Sequence, residues 1–179
     1  MIYRPIKFRG KSLPTKFSES RWVEGSFIKV YNHTPSPMAT REEMIQYEAM
    51  TQEEKEKYDD SFYDYYILVP VPGDWCLPGS IQEVKVDRNT ISQFTGVKTE
   101  KTNEELWEGD IVEYHDGDIC IIEYDFNSFG CKVLDETKPY GWKEFVPYYF
   151  KKIGNKWDNP ELLEKYTKRN EGEQNNENL

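Results

Sequence analysis

The heptapeptide Leu106-Trp107-Glu108-Gly109-Asp110-Ile111-Val112 stands where a turn gives way to a strand. Gly109 suits the turn, because a residue without a Cβ accepts backbone angles that other residues resist. The Asp110 carboxylate can accept backbone amides and so fix that turn, and the apolar residues after it begin an alternating strand. We therefore predict that Gly109 and Asp110 are structural residues and that a small β domain begins here.

The residues that follow predict further short strands. Asp116-Gly117 is typical of a type I′ hairpin turn, because both residues tolerate a positive φ. Five short strands at this spacing predict a small SH3-like β-barrel over residues 105–157. Pro160 suits the first position of a helix, which we predict over residues 158–169.

The chain before this domain predicts a mixed β region over residues 1–97. Two Thr-x-x-Glu capping patterns predict two short helices in an acidic insertion at about residues 40–60. Gly96 follows a β-prone run and is predicted to supply an unusual backbone angle. The polar residues 170–179 are predicted to form a disordered tail. The fold class is therefore mainly β, a β-rich α+β protein.

Several stretches of the chain together carry a family resemblance. They are Pro5-Ile6-Lys7-Phe8-Arg9-Gly10-Lys11 with Trp22-Val23-Glu24-Gly25-Ser26, Asp87-Arg88-Asn89-Thr90-Ile91-Ser92-Gln93-Phe94-Thr95-Gly96-Val97, the heptapeptide above, and Ile153-Gly154-Asn155-Lys156-Trp157-Asp158-Asn159-Pro160-Glu161-Leu162-Leu163. In this order they resemble the YopX-like proteins, which bacteriophages and prophages encode. The resemblance implies a shared fold and a phage setting, but no reaction. We expect Gly154, within the last motif, to be structural.

Composition predicts a folded protein of the host cytoplasm. Apolar residues make up only 37% of the chain, but aromatic residues make up 15% and each ring buries a large area. We find no signal peptide and no apolar run of the ~18 residues that a membrane span needs. Cys120 and Cys131 fall on neighbouring predicted strands, where we expect buried, reduced thiols.

Charge is distributed unevenly along the chain. Residues 1–40 carry seven basic and two acidic residues, whereas residues 41–64 carry three basic and nine acidic ones. The net charge of −10 opposes non-specific binding to phosphate backbones. The basic start of the chain keeps nucleic-acid binding open as an alternative, with base stacking on tryptophans. The candidate residues for that alternative are Arg4, Lys7, Arg9, Lys11, Trp22, Trp107 and Trp142.

The sequence lacks the patterns that enzymes and metal sites require. It contains no phosphate-binding loop, dinucleotide-binding loop or serine-nucleophile motif. Glu108 and Asp110 could suggest acid–base work, and Asp116 and Asp118 suggest a fragment of a calcium loop, but turn formation explains both pairs better. We expect no catalytic residues, no metal and no cofactor.

These observations favour a non-enzymatic phage accessory protein that binds an unidentified protein, and that also associates with itself as a homo-oligomer. Interfaces are rich in aromatic residues, and the acidic helical insertion is a ready specificity element. Two alternatives remain open. One is nucleic-acid binding through the basic start of the chain, and the other is an acidic surface that mimics DNA.

Overall fold

The computed structural model describes residues 6–32, 40–76, 78–125, 127–135, 138 and 141–167. Arg4 and the predicted tail at residues 170–179 lie outside this part. Contacts divide the chain into two units. Of the described residues, the first unit is Phe8–Ile91, and the second runs from Ser92 to Thr167 and includes Ile6 and Lys7. The predicted mainly β class is confirmed.

The first unit is an antiparallel sheet of four strands with the order β4-β3-β2-β1. Its apolar core is small. Val23, Ile67 and Val86 are the buried members, and half-buried rings such as Phe27 and Tyr65 pack around them. The strands are β1 (Phe8–Lys11), β2 (Trp22–Tyr31), β3 (Tyr63–Val71) and β4 (Ser80–Lys85), and a 3₁₀ turn at Arg88–Thr90 follows them.

The acidic insertion folds as two helices between β2 and β3, α1 (Arg41–Ala49) and α2 (Gln52–Asp60). Both predicted capping boxes are present, at Thr40 and Thr51. Each threonine hydroxyl accepts a backbone N–H three residues on, and the glutamate there accepts the N–H of the threonine. Neither helix buries a residue, so local capping rather than core packing defines both.

The second unit contains two sets of strands. β5 (Ser92–Lys98) pairs with β6 (Glu105–Trp107). The others form an antiparallel sheet with the order β10-β9-β8-β7-β11. Its strands are β7 (Asp110–Glu113), β8 (Ile119–Asp125), β9 (Ser128–Val133), β10 (Trp142–Lys143) and β11 (Lys151–Asn155), with a 3₁₀ turn at Pro147–Tyr149 before β11 and helix α3 at Pro160–Thr167 after it. Pro160 opens α3, as predicted.

Of the small SH3-like barrel predicted over residues 105–157, the structure shows a five-stranded antiparallel sheet that is not a closed barrel. Within the described residues the outer strands β10 and β11 pair only with β9 and β7, so the five-stranded sheet is open. The spacing of strands indicated their number, but closure depends on pairing between the outer strands, which spacing does not specify. The core packs valine, isoleucine and cysteine side chains of this sheet, such as Val112, Ile122 and Cys131, with Leu106 of β6 against Phe150.

The β7–β8 turn also differs from the predicted type I′ form. Gly117 has a φ of +88°, but Asp116 is not among the described residues with positive φ. The Gly117 N–H donates to the Tyr114 carbonyl, and the Tyr114 N–H donates to the Asp118 carbonyl. This is the three-residue loop in which a left-handed glycine follows the turn. Among the described residues, no helix is both long and apolar enough to cross a membrane.

Candidate binding surfaces

The described basic candidates at the start of the chain, Lys7, Arg9 and Lys11, contact carboxylates or rings of the protein itself. In the second unit the Lys7 ammonium lies 2.5 Å from Glu105 and 5.0 Å from the centre of the Trp107 ring. Trp107 is only 2% exposed. A base cannot stack on a ring that the core encloses, and Lys7 is already neutralised by a carboxylate.

The first unit places three more of the candidate residues together. The buried Arg9 guanidinium lies 4.7 Å from the centre of the half-buried Trp22 ring, and the Lys11 ammonium lies 5.5 Å from it. Trp142, in the second unit, is partly exposed but rests its ring on Gly130. Within the described residues, Lys7 thus contacts the Trp107 ring in the second unit, and Arg9 and Lys11 contact the Trp22 ring in the first.

The heptapeptide turn is built as its residues predict. Gly109 has a φ of +78°, and the buried Asp110 carboxylate accepts the Trp107 N–H at 2.9 Å. The sequence did not reveal the second partner of Asp110. The Lys152 ammonium on β11 lies 2.8 Å from the same oxygen and supplies the charge that a buried carboxylate needs.

The other predicted structural glycines occupy two kinds of position. Gly96 has a φ of +86°, which is the unusual backbone angle expected there. Gly154 lies on β11, where a Cβ would overlap the Asn159 side-chain oxygen. Asn159 Oδ1 also accepts the Asn155 N–H, so a small residue at 154 lets the end of β11 approach the start of α3.

The Asp116–Asp118 pair holds a lysine. The Lys143 ammonium contacts both carboxylates, at 2.6 Å from Asp118, and lies 4.6 Å from the centre of the Tyr114 ring. Lys143 thus occupies the place that a cation would take between the two carboxylates. Its ammonium keeps the pKa of Asp116 below the usual range. No cluster of potential metal ligands occurs among the described residues.

Three further titratable groups of the second unit, Cys120, Cys131 and Glu108, are buried or partly buried in a way that does not favour catalysis. Burial raises the pKa of the Cys120 thiol to about 12 and raises that of Cys131 as well. Both thiols are free and buried, as predicted, and so are inert. Burial likewise raises the pKa of Glu108, but Asp110 is held by Lys152 rather than aimed at a shared centre.

An open strand edge is a first surface that sequence reasoning missed. β4 is the outer strand of the sheet of the first unit, and Ile81 on it is 67% exposed. The Lys85 carbonyl accepts the Leu13 N–H, on the side away from β3. Backbone N–H and C=O groups alternate in direction along a strand, so those of Ile81 and Glu83 point away from β3, as the Lys85 carbonyl does. Ile81 faces Pro70, which has no N–H to offer. We call Ile81, Gln82 and Glu83 the edge surface.

A group of rings is the second surface that was missed. The His115 ring lies against the Tyr149 ring, tilted by 32° with the ring centres 4.4 Å apart, and Tyr148 stands nearly perpendicular to Tyr149 at 5.3 Å. With Tyr114, Lys101 and Lys151 they line a cavity of about 490 Å³, here called the ring cleft. Pro147-Tyr148-Tyr149 forms a 3₁₀ turn, and the proline that opens it was the available signal in the sequence.

Comparison with known proteins identifies a family. The family model described as YopX protein matches residues 30–164, about three quarters of the chain. The match covers most of both units and includes the edge surface and the ring cleft. A search of curated proteins found no match.

Proposed function

The chain belongs to the YopX protein family, and on that premise we propose that it is a non-enzymatic protein-binding module that associates with a second copy of itself. A phage or prophage origin and the cytoplasm of the host cell are parts of the same proposal. The edge surface supports it most directly. An outer strand with free backbone donors and acceptors can add a strand from another chain.

Exposed apolar side chains near this edge in sequence favour a macromolecular partner. Trp75, in the loop before β4, is 97% exposed, and Val71 at the end of β3 is 40% exposed. Large exposed rings are common in protein interfaces. A partner that covers the edge surface would also remove Ile81 from water.

One register suits a second copy. The backbone N–H and C=O of Ile81 would hydrogen-bond to the C=O and N–H of Glu83 in the other copy. The two Gln82 residues would then face each other at the two-fold axis. Like charges do not face each other in this arrangement, whereas pairing Glu83 with itself would place two carboxylates side by side. The symmetric contact repeats each hydrogen bond and closes as a dimer.

Nucleic-acid binding at the start of the chain is the second candidate function. Only the charge of residues 1–40 supports it, since Lys7 is paired with Glu105 and Arg9 is buried against Trp22. The acidic mimic of DNA is a third candidate. It rests on the acidic α1–α2 insertion, in which Glu53 is paired with Lys57.

The dimer is tested by sedimentation of the intact protein across the micromolar range, beside two variants of one residue. Glu83→Pro removes an outward N–H and should abolish the dimer, because proline is tolerated on an outer strand but cannot donate. Glu83→Ala loses the same carboxylate, keeps the N–H and should still form the dimer. Far-ultraviolet circular dichroism checks that both variants retain the sheet.

Three results would reject the dimer: a monomer at every concentration, equal loss in both variants, or no loss in either. A labelled duplex and a labelled single strand, added to the intact protein, test the second candidate. Affinity that falls steeply with salt and is lost in Lys11→Gln would favour the basic start of the chain.

A further inference from the structure

The rings of the ring cleft form one connected group that solvent reaches. Tyr149 lies 5.7 Å from Tyr114 and 4.4 Å from His115, centre to centre. Tyr148 is 62% exposed and Tyr149 is 40% exposed, and His115 is also exposed. A core packs its rings away from water, whereas these rings are partly exposed and a planar ligand can reach them.

The charges around these rings favour an anion. Lys101 and Lys151 are both exposed, and Lys151 lies 3.1 Å from Glu113, which is the one carboxylate among the residues lining the cavity. Lys101 makes no ion pair within the described part of the chain. The lining thus carries a net charge of +1 with a neutral histidine, in a protein whose net charge is −10. The positive lining favours an anion, and the exposed rings favour an aromatic one.

We propose that the ring cleft binds a nucleotide, with the base stacked on Tyr148 and its edge against Tyr149, and with the phosphate held by Lys101 and Lys151. Its volume, about 490 Å³, is within the usual size of small-ligand sites, roughly 300–1,000 Å³. Stacking on tyrosine tolerates any base, so the site selects nucleotides as a class rather than one sequence. The site lies in the second unit and does not depend on the proposed dimer.

A free nucleotide and a single-stranded nucleic acid both carry the base and the phosphate that this site would bind. Thymidine monophosphate and a short fluorescein-labelled oligothymidylate separate the two sources. Fluorescence anisotropy measures the oligonucleotide, and nuclear magnetic resonance shifts of the His115 ring report the monophosphate. Tighter binding of the oligonucleotide would assign a single strand, and equal binding would assign a free nucleotide.

Tyr148→Ala should weaken binding of the bound probe by about tenfold, as loss of one stacked base does. Tyr124→Ala is the matched control, because Tyr124 is 51% exposed and contacts Phe129 rather than the ring cleft. Lys101→Gln should lower the slope of affinity against salt by about one phosphate contact. Lys132→Gln, on β9, should leave that slope unchanged.

The proposal is overturned if neither probe binds to the intact protein. It is also overturned if Tyr148→Ala and Tyr124→Ala weaken binding equally, since binding would then not involve the ring cleft. Thermal unfolding of each variant is measured first, and a variant that unfolds early is replaced by Tyr148→Leu, which keeps an apolar side chain without a stacking face. Selective loss in Tyr148→Leu supports the nucleotide site, and unchanged binding rejects it.

Discussion

The second unit encloses a fully buried, ion-paired aspartate and the larger apolar core, whereas the first unit has a small core and pairs its Asp60 near the surface. Asp110 is fully buried with the Lys152 ammonium at 2.8 Å, while Asp60 meets Lys29 and Arg88 at the surface. The seven buried residues of the larger core all lie in the second unit, and the core of the first unit has three. Removing one partner of a buried ion pair leaves an unpaired charge away from water, whereas water screens the charge left by a surface pair. Loss of similar ion pairs in the two units should therefore lower stability by different amounts.

The largest expected difference between the units concerns these two aspartates. Asp110→Ala should lower the free energy of unfolding by about 3 kcal/mol, because it leaves Lys152 with an unpaired charge beside the core. Asp60→Ala should lower it by about 1 kcal/mol or less, because water screens Lys29 and Arg88. Urea denaturation measures both values. Equal losses would show that burial does not distinguish the two charge sites.

Two glycines distinguish steric overlap from backbone strain. A Cβ at Gly25, in the first unit, would overlap the Leu68 carbonyl of the next strand, so Gly25→Ala should cost about 2–3 kcal/mol or more. Gly117, in the second unit, has a φ of +88° and open space around it, so Gly117→Ala should cost only about 1–2 kcal/mol. The comparison is made by thermal unfolding, and a larger cost at Gly117 would contradict it.

Acid should affect one carboxyl of each unit in opposite directions. Hydrogen bonding to Lys85 lowers the pKa of Asp64, so its contribution to stability is present above the ordinary pKa and is lost as pH falls through the lowered value. Burial raises the pKa of Glu108, so its ionisation opposes folding at neutral pH. At neutral pH, Asp64→Asn should therefore be less stable than the wild type, and Glu108→Gln more stable.

Denaturant midpoints between neutral and acidic pH check both signs. The deficit of Asp64→Asn should shrink as pH falls below the ordinary aspartate pKa and through the lowered one. The advantage of Glu108→Gln should shrink as pH falls through the raised glutamate pKa towards its ordinary value. Differences that do not change with pH would mean that neither carboxyl acts through its charge.

The smallest effect is expected in the acidic insertion of the first unit. Thr51→Ala removes a capping hydroxyl and should destabilise α2 by about 1 kcal/mol, whereas Thr51→Ser keeps the hydroxyl and should not. Global unfolding should hardly change, because α2 buries no residue. Amide hydrogen exchange in α2 measures the local loss. Faster exchange in the strands of the first unit would show instead that the helix supports the sheet.

Local rules predicted much of this fold correctly. The capping boxes at Thr40 and Thr51, the Asp110 turn and the start of α3 at Pro160 each depend on residues within a few positions of one another. Interactions of this range are visible in the order of the residues. The type I′ turn was the exception, since Asp116-Gly117 is compatible with two loop forms. The pairing of β7 with β8 requires the form in which Gly117 has a positive φ and Asp116 does not.

The burial of the candidate binding residues could not be predicted from the sequence, because exposure is not a local property. Trp107 and Arg9 resembled contact residues in the sequence, yet both are buried. Tyr148 and His115 were passed over, although they form the more exposed aromatic surface. Both tryptophan and tyrosine rings can stack on a base, and the sequence does not show which of them the packing of the chain leaves exposed.

The sequence by itself determined the mainly β class, the capped helices and the glycine–aspartate turn, because each follows from propensities and hydrogen bonds between near neighbours. Only the tertiary structure decided that Lys152 would neutralise Asp110 and that Lys143 would hold Asp116 and Asp118. It also left the five-stranded sheet open. These outcomes depend on which distant strands pair, and the free energy of the whole chain determines that pairing.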